Sequence, residues 1–404
     1  MGAGLIGIAA ATSTWGALHL GPVQPVDGFL AAGAALVLLD ALVARVRMPS
    51  LLPRWALIGT WAILFITASS VLLPPSPGFV SRRLVVDTSF VTGNGDLTPV
   101  WLKGVQWLVA ASVLIVVVRL IALRSPHRVQ WISSMWMLGA CVTAVIAISD
   151  FVGASTVSTI LMGYENIEGR QSGLSSHPNN LGIACAMAVP IAVFLAASRR
   201  MTGLIAVALL VSGAVVSGSR AAQVAIVLVL LASVTMRSLG RRMLPWFAGG
   251  AVAFVFVVAF IRPSWIPSLT SLFRFSASNS NASESDAGRA ELARQAFADF
   301  GESPVHGIGL DYIVTAHSIY LQVFAAGGML LGVGMLVYLI GALSTGLRLA
   351  RESSSLAFFL MLSHVAWLGS GAVSNQLTDR YLYFPVACLA GLELVRGLKV
   401  DQSS

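Results

Sequence analysis

Long apolar runs, separated by shorter polar connections, fill this chain almost from end to end. They fall near residues 3–20, 28–46, 55–73, 102–122, 130–150, 179–197, 201–216, 221–236, 244–261, 318–342, 356–373 and 381–396. Runs of about 17–25 apolar residues have the length of a helix that crosses a bilayer. A transmembrane β-barrel would show short alternating segments instead. The pattern therefore predicts an all-α integral membrane protein of about twelve transmembrane helices. The first run lacks a basic leader region and is read as a membrane helix, not a cleaved signal. No repeat is visible along the chain, so residues 1–404 are read as a single polytopic membrane domain.

The polar connections alternate in character. Arg45, Arg47 and Arg54 follow the second run, and Arg124 and Arg128 the fourth. Arg199 and Arg200 follow the sixth, and Arg237, Arg241 and Arg242 the eighth. Arg348 and Arg351 follow the tenth, and Arg396 and Lys399 close the chain. Basic residues at helix ends mark the cytoplasmic side, so both termini are expected there. The other connections, 21–27, 74–101, 151–178, 217–220, 262–317 and 374–380, then face outward. Pro74-Pro75, Pro77-Gly78 and Gly93-Asn94-Gly95 signal irregular structure in the second of these.

The largest outer connection, 262–317, lies between the ninth and tenth runs and is read as a partly helical loop. Ser283 to Ser285 are placed to cap a helix near 286–300, with Glu291 in its first turn. Leu292, Ala296 and Phe300 recur on one face at helical spacing, and Arg289 falls near that face. Gly301 and Pro304 are expected to end the helix.

Composition agrees with the pattern. The chain is 56% hydrophobic and only 10% charged, too few charges for a soluble surface. Its net charge of +8 is explained by the helix-end arginines, and no basic stripe or nucleic-acid motif accompanies it. The three cysteines, Cys141, Cys185 and Cys388, fall inside apolar runs without metal-ligand spacing.

Cations are disfavoured on the outer face, so outward arginines need a reason. Arg170 lies in Gly169-Arg170-Gln171-Ser172-Gly173, just ahead of His177-Pro178-Asn179-Asn180. Arg220 ends the tight turn Ser217-Gly218-Ser219-Arg220. Arg289 and Arg294 lie in the large loop. A guanidinium stays charged and binds oxygen pairs in a fork, which suits a phosphate. The bland reading of any one arginine is an interfacial anchor, and it is preferred for Arg82, Arg83, Arg262 and Arg274. His317 opens the tenth run, followed by Ser318 and Gln322. An imidazole there can accept a proton from a hydroxyl. His177 is the rival base, with a cap or turn as its competing role.

Four blocks together resemble the O-antigen ligase and polymerase superfamily of bacterial polytopic membrane glycosyltransferases. They are Arg170 through Gly173 to His177-Pro178-Asn179, then Ser217-Gly218-Ser219-Arg220-Ala221. The third is Gly288-Arg289 with Phe300, Glu302-Ser303-Pro304 and Gly307-Ile308-Gly309. The fourth is His317-Ser318 with Leu321 and Gly328. The likeness covers roughly residues 165–335, and the earlier runs match only in being hydrophobic. One position departs: Leu331 stands where ligases usually carry a second glycine, and Gly332 comes one later.

The resemblance implies a GT-C-like enzyme in the bacterial cytoplasmic membrane, with its active site on the outer face. It would move a glycan from a polyprenyl pyrophosphate donor onto the hydroxyl of a glycan or glycolipid acceptor. Arg220 and Arg289 would act with His317 at the reacting centre. Arg170, Arg294, His177, Asn179, Ser219 and Ser318 would bind the pyrophosphate or glycan. The resemblance implies no metal, no other cofactor and no nucleic acid, with membrane lipids and the two substrates as partners. Ligase and polymerase differ in acceptor, which these motifs do not separate. The rival class is a multi-pass transporter or flippase of lipid-linked glycans, for which Asp40, Pro190 and His364 are candidate intramembrane features.

Overall fold

The computed structural model describes residues 1–19, 23–46, 50–73, 100–162, 169–236, 280–310, 316–352, 355–374 and 376–401. The ninth expected run, the turn signals at 74–78 and 93–95, and Arg82, Arg83, Arg262 and Arg274 lie outside these residues. In chain order the helices are α1 (Gly2–Thr12), α2 (Pro25–Val43) and α3 (Arg54–Leu72). Next, α4 comprises Val100–Leu108, a π-helical segment Val109–Val113 and Leu114–Arg124. Then come α5 (His127–Phe151), α6 (Val157–Met162), α7 (Pro178–Ser198), α8 (Arg200–Val216) and α9 (Arg220–Met236). The rest are α10 (Ser280–Glu302), α11 (Ile319–Arg351), α12 (Ser355–Gly371), a 3-10 turn (Arg380–Tyr383) and α13 (Phe384–Asp401).

Among the described residues, 7 helices are long and apolar enough to cross a membrane: α2, α3, α4, α5, α7, α11, and α13 with its leading turn. The others that are apolar, α1, α8, α9 and α12, are shorter. The described residues are thus those of an all-helical membrane protein. Its first element is shorter than the apolar run implied. α1 stops at Thr12, where hydroxyls turn back on the backbone: Thr12 Oγ1 donates to Ile8 O at 3.0 Å and Ser13 Oγ to Ala10 O at 2.7 Å. The chain beyond it is held by other elements, with Ala17 N donating to Leu174 O and Ser175 Oγ to Thr14 O.

α7 is the central post. Its residues from Leu181 to Val193 are almost wholly buried, and α5, α8, α9 and α12 pack around it. Without an apolar-from-water driving force inside a bilayer, close packing and buried hydrogen bonds must hold such helices together. A Cβ on Gly139 would lie 1.8 Å from Ala11 O, so α1 and α5 touch backbone to backbone. α4 and the 3-10 turn that leads into α13 are joined by Trp107 Nε1, which donates to Tyr383 Oη at 2.6 Å, and Tyr383 Oη donates in turn to Leu377 O. The π segment frees carbonyls, and Tyr338 Oη of α11 donates to Ala111 O at 2.9 Å.

The two ends of the bundle differ. At one end Arg124 pairs with Asp40, Arg348 with Glu393, and Arg396 with Glu352. These are the basic connections. The opposite end collects the starts of α7, α9, α11 and α13 and the finishes of α8 and α12. There Arg380 forms a two-pronged ion pair with Asp27 at the start of α2, Nε to Oδ1 at 2.9 Å and Nη2 to Oδ2 at 3.0 Å. Both partners are largely buried, which strengthens a charge-assisted fork.

Candidate functional site

The site end is built around the turn from α8 to α9. Ser217 caps α8, its Oγ donating to Ala214 O and accepting from Ser219 N. Gly218 has φ +61°, and a Cβ there would sit 3.0 Å from Cγ and Nε of Arg170. That left-handed position and that close side chain both call for glycine. Arg220 then opens α9, half-buried.

Arg170 comes from the connection before α7. Its Nε donates to Ser217 O at 2.9 Å and its Nη2 to Asn179 Oδ1 at 2.5 Å. The backbone beside it is pinned as well, because Gln171 N donates to Val216 O. Further back, Gly173 N donates to Ser158 Oγ, and Ser158 N to the Asp150 carboxylate. Asp150 and Ser158 therefore support the turn that carries Arg170. His177 is the N-cap of α7: Asn179 N donates to its Nδ1 at 3.0 Å, which leaves the proton on Nε2.

α10 brings Arg289 from the large loop. The helix spans Ser280–Glu302, starting earlier than its expected bound near 286. Its inner face is small and polar: Ala296 is buried with Ala316 and Ala325, and Gln295 Nε2 donates to Asp299 Oδ1 at 2.7 Å. Phe300 meets Phe324 of α11 edge-on at 5.8 Å. His317 stands two residues before α11 at φ +47°, a left-handed conformation uncommon for a non-glycine residue and costly enough to need support. Ser318, the N-cap of α11, follows it.

These segments enclose a cavity of about 200 Å³, lined by Arg170, Asn179, Ser219, Arg220, Arg289 and Ser374 among others. His177 and His317 are close enough to feel this charge. Burial, followed by Arg170, His317 and Arg289, pushes His177 down to about 4. Burial and then Arg289 push His317 down to about 4. Both imidazoles are therefore neutral at physiological pH. His317 Nδ1 is buried without a hydrogen-bond partner among the described residues. No three His, Cys, Asp or Glu side chains converge into a metal-binding group among those residues.

Of the expected site residues, the structure gathers Arg170, Asn179, Ser219, Arg220 and Arg289 around one cavity, with His177 and His317 within reach of its charges, while Ser318 is placed only as the N-cap of α11. Arg294 is not brought there. Its side chain is 70% exposed and pairs with Glu291 one turn away at 2.9 Å, because it leaves α10 on a different face from Arg289. The sequence reading missed the wall made by Val373 and Ser374 and the bond from Gln376 Nε2 to Asn180 Oδ1 at 2.5 Å. Its one signal was Ser374-Asn375-Gln376, a polar triplet between apolar runs.

Residues 205–338 match a family model described as O-antigen ligase. The match begins in α8, includes Arg220, Arg289 and His317, and ends inside α11. Arg170 and His177 lie outside it. No curated protein matches the chain.

Proposed function

We propose that this chain, whose residues 205–338 match the O-antigen ligase model, is a member of the O-antigen ligase and polymerase superfamily and transfers a glycan from a polyprenyl diphosphate donor to an acceptor hydroxyl. The observation that carries this reading is the cavity itself. Three arginines from distant parts of the chain line a space of about 200 Å³. That is below the range typical for a drug-sized ligand, and it suits a compact anion rather than a sugar chain.

In this reading the acceptor oxygen attacks the anomeric carbon of the donor glycan. The bond from that carbon to the diphosphate oxygen breaks, and the polyprenyl diphosphate leaves with the electron pair. Arg170, Arg220 and Arg289 stabilise the charge that grows on the leaving group, an effect strongest in a site that excludes water. The acceptor proton passes to His317, whose neutral imidazole has one unprotonated ring nitrogen to take it. A bound diphosphate offsets the arginines and raises the basicity of His317 when it is needed. Asn179, Ser219 and Ser318 are assigned to holding the donor, and His177 to orienting it. The glycan and acceptor lie outside the cavity, and the lipid tail lies along the bundle.

The basic connections at the opposite end support an outward-facing site, cytoplasmic termini and residence in the bacterial cytoplasmic membrane. A transporter would place its polar site at mid-depth. Asp40 instead sits in an ion pair at a helix end, and His364 Nε2 lies 3.0 Å from Leu339 O within the core.

The test is transfer in vitro with purified protein, a polyprenyl diphosphate glycan and a panel of acceptors, without nucleotide sugar or added metal. Chain extension marks a polymerase and single transfer a ligase. Arg220→Ala and His317→Ala are each expected to abolish transfer while leaving membrane insertion and abundance intact. Normal transfer by either variant refutes its assigned role.

A further inference from the structure

The break in α11 is built from another part of the chain. Gly327 (φ −128°, ψ 15°) and Gly328 (φ 57°, ψ −154°) leave helical geometry inside this 33-residue element. An unbroken helix would join Met329 N to Ala325 O and Leu330 N to Ala326 O. Here Met329 N donates to Pro304 O at 2.8 Å and Leu330 N to Val305 O at 3.3 Å. The released carbonyl oxygens of Ala325 and Ala326 accept from Ile308 N at 3.0 Å and Gly309 N at 2.9 Å. Two helical bonds are exchanged for four between segments, so the kink leaves these backbone groups satisfied.

Both sides of this exchange require glycine. A Cβ on Gly307 (φ +70°) would lie 2.2 Å from the carbonyl carbon of Ala326. A Cβ on Gly328 would lie 2.4 Å from the carbonyl carbon of Val305. The obstacles are backbone, which cannot swing aside. The segment is also fixed to α3, because Leu310 N donates to Ser70 Oγ at 2.8 Å.

What this joint connects is the point. α10, carrying Arg289, ends at Glu302, just ahead of Pro304. The piece of α11 from 319 to 326 starts two residues after His317 and ends in the joint. We propose that segments 304–309 and 325–330 form a backbone clasp that sets the placement of Arg289 relative to His317. Gly307 and Gly328 are then positioning residues for the transfer, acting without touching substrate. The assignment rests on the transferase reading. The Phe300–Phe324 contact and the Ala296, Ala316, Ala325 cluster join α10 to the 319–326 piece. The clasp adds a backbone tie between the same two pieces, just beyond the end of each.

The experiment pairs hydrogen exchange with kinetics on the full chain in lipid nanodiscs. It compares Gly307→Ala and Gly328→Ala with Gly4→Ala, where a Cβ meets nothing within 4 Å. The clasp variants should exchange faster in the peptides carrying both Arg289 and His317. Their single-turnover transfer should fall by about 100-fold, the scale of an ångström-sized misplacement, with donor KM little changed. Unchanged exchange in either peptide overturns the proposal, and so does faster exchange with transfer at the Gly4→Ala rate. If these variants do not accumulate, Gly309→Ala is the milder probe. Its Cβ would meet Ser70 Oγ at 3.2 Å at φ +91°, and it should move both readouts the same way by less. If the parent protein transfers nothing from this donor, the transferase reading fails. The exchange data then still decide whether the clasp couples the two segments.

Discussion

Arg170 Nε donates to the carbonyl oxygen of Ser217 at 2.9 Å, and this bond joins two connections 47 residues apart. The same guanidinium reaches Asn179 Oδ1, so one side chain ties the turn before α9 to the start of α7. A rigid fork can make both bonds at once, and an ammonium cannot match that geometry. Arg170→Ala is expected to slow transfer by about 10²–10³-fold, the usual loss when one charge-stabilising donor is removed. Arg170→Lys should recover little of it. Initial rates at matched protein abundance check this, and a lysine variant at parental rate would show that charge alone suffices.

The histidines predict an unusual pH profile. Burial and Arg289 hold His317 at about 4 in the free protein. kcat/KM, which reports the free enzyme, should therefore stay level from neutral pH down to about 5 and fall with a midpoint near 4. kcat reports the donor complex, where the diphosphate offsets the arginines, so its acid limb should lie higher. Coincident limbs for kcat and kcat/KM would contradict a diphosphate bound beside His317.

Stability carries the same signature. His177 and His317 resist protonation when folded, both at about 4 against 6.5 for the free side chain. The unfolded chain binds more protons between those values, so these groups make stability fall as pH drops from 6.5 toward 4. Asp379 acts in the opposite sense. Burial raises it from 3.8 to about 6 despite Arg380, so it favours the folded state as pH falls through that window. The histidine contribution is isolated by comparing the parent with His177→Gln/His317→Gln in thermal unfolding across pH 4 to 7. The double variant should lose less stability on acidification, and parallel curves would exclude the effect.

Arg294→Ala should leave transfer at the parental rate. Its ion pair with Glu291 is exposed and local to α10, and such pairs contribute about 0.2–0.5 kcal/mol. A large drop in transfer would return Arg294 to the substrate site from which its position separates it.

What could be read from the sequence followed physical scale. Runs such as 55–73 and 130–150 are set by bilayer thickness, and α3 and α5 follow them closely. The gathering of Arg170, Arg220 and Arg289 around one cavity was legible because each stands in a polar connection away from the basic helix ends, where an idle cation is expensive. α1 was overestimated because Ala, Thr and Gly look apolar in a window, while Thr12 and Ser13 use their hydroxyls to end the helix. The clasp was illegible because backbone trades with backbone there. Its side-chain trace is only Gly307, Gly309, Gly327 and Gly328, which read equally well as helix-packing or turn glycines. Arg294 looked equivalent to Arg289 because the sequence alone does not say which face of α10 meets the cavity.

The fork between Asp27 and Arg380 spans 353 positions of the chain, and neither partner belongs to the matched stretch 205–338. Arg170 and Ser374, which help enclose the cavity, also come from outside it. An excised fragment of that stretch would therefore be a keyhole plate without its lock case. Exchanging the stretch between related proteins would carry Arg220, Arg289 and His317 across but leave Arg170 behind. A chimera meant to keep the cavity whole should accordingly include the turn at 169–173 and the connection at 372–380, so that Arg170 and Ser374 travel with Arg220 and Arg289.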